Sequence, residues 1–149
     1  MTGVEYERLA ALGLQLPPLR PKAGNYVGWV RAGDLLVLSG QGADGFTGRV
    51  GDTLTRDDGY RAARACGLNL LAQIHDATGG LGAVRQVVQV RGFVTCTEEF
   101  TEIPQVVNGA SDLFLAVFGA RGAHARTAIG VQNLPLGFAV EVDMTVQLG

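Results

Sequence analysis

The sequence predicts a two-layer α/β sandwich, a mixed β-sheet with two long helices on one face. Three observations point there. The run from Phe138 to Leu148 alternates strictly. Phe138, Val140, Val142, Met144, Val146 and Leu148 fall on one face, and Ala139, Glu141, Asp143, Thr145 and Gln147 on the other, the period of a strand buried on one side. From Asp57 to Ala77, Tyr60, Ala63, Gly67, Leu70, Leu71 and Ile74 recur at helical spacing. The elements also follow in the order helix, β, β, α, β, α, β, β without a break in composition, so one domain over residues 1–149 is expected.

An amphipathic helix from Val4 to Leu12 opens the chain and Gly13 stops it. Pro17, Pro18 and Pro21 then enforce an extended linker, so residues 1–22 read as an extension ahead of the sheet. Tyr26 to Val30 and Leu35 to Ser39 are β-type runs joined by Arg31-Ala32-Gly33-Asp34, a hairpin. A glycine-rich loop runs from Gly40 to Gly51. The long helix follows, with Thr55 as its N-cap, Asp57 and Asp58 at its positive end and Gly79-Gly80 behind it. Val84 to Thr95 is β-branched and apolar on both faces, the mark of a central strand. Pro104 to Phe118 reads as the second helix, although Asn108-Gly109 within it is usually a turn signal. Ala125 to Val131 and Phe138 to Val146, bent at Leu134-Pro135, form the closing strand pair. Val140, Val142, Met144 and Val146 should meet the helices. Ala139, Glu141, Asp143 and Thr145, with Val87 and Phe93, should form the opposite face, a half-apolar mixture suited to cover by identical subunits.

Composition narrows the function classes. The chain has 149 residues, a formal charge of −2 and two cysteines. With a pI near 5.6 it offers no basic footprint for nucleic acid or anionic lipid. No apolar run is read as a membrane span, and the first residues lack a signal-peptide layout, so a cytoplasmic protein is expected. Cys66 and Cys96 lack a partner motif and read as reduced packing residues. With two histidines and no Cys/His spacing, neither a metal nor another cofactor is expected.

Gly40-Gln41-Gly42-Ala43-Asp44-Gly45 has the letters of a dinucleotide fingerprint. Its last glycine should open a helix, but Phe46 to Gly51 intervene, so that reading fails. There is no nucleophile-elbow sequence. What remains is Arg126 on one closing strand, with Glu141 and Asp143 on the other. On pattern alone this is a solvated polar face. It is also the equipment to hold a small carboxylate and position a water. His124, two residues before Arg126, would point the same way.

Read together, Tyr26-Val27, Ser39-Gly40-Gln41, Val107-Asn108 and Ala125-Arg126-x-Ala128-x-Gly130-Val131-x-x-Leu134-Pro135, followed by Val140-Glu141-Val142, resemble the RidA (YjgF, L-PSP endoribonuclease-like) superfamily. The resemblance spans nearly the whole chain after the proline linker and points to a branch with an N-terminal extension. It implies a chorismate-mutase-like homotrimer with clefts between subunits. It also implies hydrolysis of reactive 2-imino or enamino acids to 2-keto acid and ammonia, a small carboxylic acid being the ligand. Arg126 matches the arginine that grips the substrate carboxylate. Tyr26, Ser39 and Asn108 match cleft positions, and Glu141 matches a family acid. Ala128 stands where the archetype often has cysteine. Asp143 is placed at the acid that orients water, a glutamate in the archetype. Its shorter side chain would displace that water by about 1 Å, worth about a hundredfold in rate. A non-catalytic carboxylate-binding protein is the alternative. RNA cleavage, carried by the old label, is disfavoured by the acidic pI and missing basic stripe.

Overall fold

The computed structural model describes residues 1–149. Its elements are α1 (Val4–Ala11), β1 (Trp29–Ala32), β2 (Leu35–Gln41), α2 (Arg56–Thr78), β3 (Val84–Thr95), α3 (Ile103–Phe118), β4 (Ala125–Val131) and β5 (Val140–Leu148). The five strands form one sheet in the order β1-β2-β5-β3-β4, antiparallel except for the parallel β3–β4 pair. β4 and β5 are therefore not neighbours, as their closeness in sequence suggested. β3 lies between them, and the closing residues of the chain fill the middle of the sheet.

The core lies between the sheet and the two long helices. Val140, Val142, Met144, Val146 and Leu148 supply one wall, and Leu70, Leu71, Ile74, Val107, Phe114 and Val117 the other. α2 begins with a reciprocal cap. The Thr55 hydroxyl accepts from the Asp58 N–H at 3.1 Å, and the Asp58 carboxylate accepts from the Thr55 N–H at 2.9 Å. It ends on Gly79 at a φ of 82°. α1 packs against this body through buried Leu9, a Glu5–Arg121 ion pair of 2.7 Å and a 2.6 Å hydrogen bond between Tyr6 Oη and His75 Nδ1.

Several sequence expectations shift for identifiable reasons. Two irregularities in β3, between Val84 and Gln86 and between Val87 and Gln89, turn Val87 into the core while Phe93 stays on the open face. Ala139 is also buried, because its N–H donates to the Phe46 carbonyl and its carbonyl accepts from Thr95, under the glycine-rich loop. Phe138 precedes β5 rather than starting it. β1 begins at Trp29, later than Tyr26, and pairs with β2 across a two-residue Gly33-Asp34 turn. Both cysteines are free; Cys66 is fully buried, and burial pushes its thiol up. The stretch Ile103–Gly122 is long and apolar enough to cross a membrane by composition, but half of it is buried here against α2 and the sheet.

Asn108-Gly109 makes no turn; both residues lie inside α3. A Cβ on Gly109 would come within 2.0 Å of the Tyr60 carbonyl oxygen, so its glycine lets α3 approach the backbone of α2. Backbone cannot swing aside as a side chain can. Gly109→Ala is expected to destabilise the protein by about 3 kcal/mol, seen as a lower midpoint in urea denaturation.

Candidate functional site

The predicted residues fall into two groups on opposite sides of the sheet. Arg126 is the register partner of Val90, which also faces Met144. Because Val90 and Met144 are core residues, Arg126 points to the helix side, at the edge strand. There its Nη1 donates to Asn108 Oδ1 at 2.7 Å and to Ser111 Oγ at 3.2 Å, and its Nη2 donates to the Pro104 carbonyl at 3.4 Å. None of its ion-pairing distances to a carboxylate falls within 4.0 Å, so the charge is uncompensated within the chain. The Nε–H and Nη2–H edge is the side a carboxylate grips with two parallel bonds.

His124 stands behind this arginine. Its Nδ1 lies 2.6 Å from the Gly122 carbonyl, and its Nε2 lies 2.8 Å from Ser111 Oγ. A carbonyl only accepts, so Nδ1 carries the proton. Nε2 then accepts from the Ser111 hydroxyl, whose oxygen receives the Arg126 bond. His124 therefore supports the arginine through Ser111, with both ring nitrogens engaged within the chain. Sequence reasoning named Asn108 but missed buried Ser111. The signal was present: Pro104, Asn108 and Ser111 are spaced i, i+4, i+7, on one face of α3. Ala128 shares the Arg126 face of β4, half-buried against the core.

The second group surrounds Glu141. In β2, Ser39 and Gly40 together oppose the single residue Asp143, a bulge that opens the strand pair. A Cβ on Gly40 would meet Glu141 Oε2 at 2.6 Å, so this glycine leaves space for the carboxylate. Glu141, Gly40, Gln41, Gln73, Tyr26 and Arg20 line a narrow recess of about 60 Å³. Burial pushes the Glu141 carboxyl above its usual range, and the nearby Asp143 charge adds to the rise. Ser39 belongs to the framework, its hydroxyl donating to the Val27 carbonyl at 2.6 Å. Tyr26 accepts from the Ala23 N–H at 3.2 Å and turns its ring toward the recess. The proline-rich extension closes one side. Arg20 grips Asp44 with two bonds of 2.8 and 3.3 Å and lies 4.9 Å above the Phe138 ring.

Asp143 is not brought into this recess. Its two oxygens accept from Arg91 Nε at 3.0 Å and Nη2 at 2.7 Å, across the β3–β5 pair on the open face. The acid with the partner-poor, half-buried setting expected of a proton acceptor is Glu141. A larger cavity, about 580 Å³, lies beyond the ends of β3 and β4 beside Arg49, Cys96 and Gly130, and none of the predicted residues lines it.

Comparison with known proteins agrees with this architecture. A model of the YjgF/chorismate-mutase-like family, whose description adds an endoribonuclease label, matches residues 6–147. Protein TCP17 of Trypanosoma cruzi is 46% identical over 146 residues, 94% of this chain and 91% of that one. A Shewanella oneidensis crystal structure with the endoribonuclease label superposes with a TM-score of 0.94 at 32% identity, over 98% of this chain and 100% of the other. RidA from an Antarctic Psychrobacter superposes with a TM-score of 0.59 at 26% identity, over 87% and 94% of the two chains. The mixed sheet, its helical layer and the match across nearly the whole length place this chain in the YjgF/RidA superfamily, with its chorismate-mutase-like fold.

Proposed function

We propose that the protein hydrolyses small 2-imino and enamino acids to 2-keto acids and ammonia. The observation that carries this reading is Arg126, a cation without a carboxylate, locked at Nη1, with Nε unbonded and Nη2 held only by a 3.4 Å bond to the Pro104 carbonyl. The Nε/Nη2 edge fits the carboxylate of a small 2-imino acid side-on. Glu141 supplies the base. In the ionised form it takes a proton from water as the water oxygen attacks C2 of the protonated imine. The C–N bond then breaks and the nitrogen leaves as ammonia, carrying the protons released. No cofactor enters this scheme, because a protonated imine is already electrophilic.

Arg126 and Glu141 of one chain lie on opposite sides of the sheet, so a second copy must bring the recess to the arginine. The open face supports assembly: Val30, Leu35, Val37 and Ile129 are exposed there, on strands whose other face is the core. A homotrimer with one cleft at each subunit boundary is the expected arrangement. Sedimentation should give three times the chain mass. Generating 2-aminoacrylate in situ should show keto acid forming faster with protein than in buffer; equal rates would remove the deaminase reading. Saturable keto-acid binding without turnover would select a carboxylate-binding protein instead.

A further inference from the structure

We propose that Gln41 and Gln73 position the attacking water beside Glu141, in a narrow recess the fold reserves for water. The inference rests on the hydrolytic reading above; it gives a role to Gln41, which belongs to the Ser39-Gly40-Gln41 segment, and adds Gln73, which the family resemblance does not name.

Gln73 occupies a helix position that the pattern assigns to the core. Cys66, Leu70, Gln73 and Ala77 follow one another on the inner stripe of α2, and the first two are fully buried. Gln73 is only 6% exposed and Gln41 only 7%, yet neither carboxamide makes a hydrogen bond within the chain. No completely enclosed side-chain nitrogen or oxygen lacks a partner in this protein, so these amides turn their polar atoms to the recess. A buried amide without a partner costs about 1–3 kcal/mol, and leucine at either position would avoid that cost. The recess wall is also cut to fit. A Cβ on Gly28 would stand 2.4 Å from Gln73 Oε1, and one on Gly40 would stand 2.6 Å from Glu141 Oε2. Neither glycine has a positive φ, so each position requires space rather than backbone freedom.

Volume identifies the occupant. A recess of about 60 Å³ admits a few waters, each needing only ~10–15 Å³ of such space, and is narrow for a substrate held by Arg126. A buried water needs two to four polar partners, and one carboxylate with two carboxamides supplies that number. A carboxamide both donates and accepts. It can fix the orientation of a water while Glu141 removes the proton, leaving a lone pair for C2. The strap from Arg20 to Ala23 lines the same recess and narrows it.

Two variants test this by independent routes. Gln73→Leu removes the amide but keeps the bulk. Gly28→Ala leaves Gln73 intact and pushes its carboxamide aside. For imine hydrolysis both should lower kcat about 10- to 100-fold with KM changed less than about twofold, because the carboxylate clamp is untouched. The acid limb of the kcat–pH profile should also move upward, since Glu141 loses polar neighbours. Unchanged kcat in both variants, or a change confined to KM, would overturn the proposal. A wild-type protein that hydrolyses no imine would remove the reading on which it rests. The water site would then be decided by crystallography alone. An ordered water bonded to Gln73 and Glu141, absent from Gln73→Leu, upholds the site, and its absence from the wild type ends it.

Discussion

Arg126→Ala is expected to weaken keto-acid binding and to lower kcat/KM for imine hydrolysis by about 30- to 1000-fold, the effect of about 2–4 kcal/mol. The magnitude follows from the setting. The guanidinium has no carboxylate partner in the chain, so a ligand carboxylate would be its first full charge compensation. Asn108 and Ser111 hold Nη1, so the binding edge is oriented before a ligand arrives. Arg126→Lys should recover little. A lysine offers a point charge, and one ammonium cannot bond to Asn108 and Ser111 while presenting two parallel donors. Calorimetric titration with pyruvate, beside steady-state kinetics, measures both losses. A lysine variant with wild-type affinity would refute the side-on clamp.

Glu141→Gln is expected to lower kcat about 10²- to 10⁴-fold, the range of a lost general base. Asp143→Asn should stay within about threefold, because its carboxylate is engaged with exposed Arg91. The pH dependence has a definite sign. Burial and the neighbouring Asp143 raise the Glu141 carboxyl, so the basic form appears at higher pH than for an ordinary glutamate. The acid limb of the rate profile should sit correspondingly high and vanish in Glu141→Gln. Stability should run the other way. The folded state holds this proton more tightly than the unfolded chain does. Its contribution is therefore fully present below the unfolded pKa and is lost as pH rises through the folded one. Glu141→Gln should thus raise the urea midpoint at pH 7, with the gain fading in acid. A midpoint unchanged at both pH values would show that the carboxyl is not strained by its surroundings.

Much of the fold was legible because its signals are local. The strict alternation after Phe138, the stripe of α2 and the Thr55 cap each depend on residues within a turn or two of one another. What was misread depends on contacts between distant segments. Val87 entered the core because β3 carries irregularities that a period-two reading steps across. The helix over Pro104 to Phe118 was read correctly despite Asn108-Gly109, but the reason for that glycine, its close approach to Tyr60, is invisible along the chain. The choice between Glu141 and Asp143 turned on the bulge at Ser39-Gly40 and on Arg91, one strand away.

By itself the sequence determined the layer architecture and the order of elements, and it marked Arg126 as a candidate, since hydrophobic period, caps and motif spacing are written in consecutive residues. Only the tertiary structure decided the strand order that separates β4 from β5, the Ser111–His124 support of the arginine, and the recess shared by Glu141, Gln41 and Gln73. Those features arise where side chains from separate elements compete for the same partner or space, and that competition is settled only when the chain is folded.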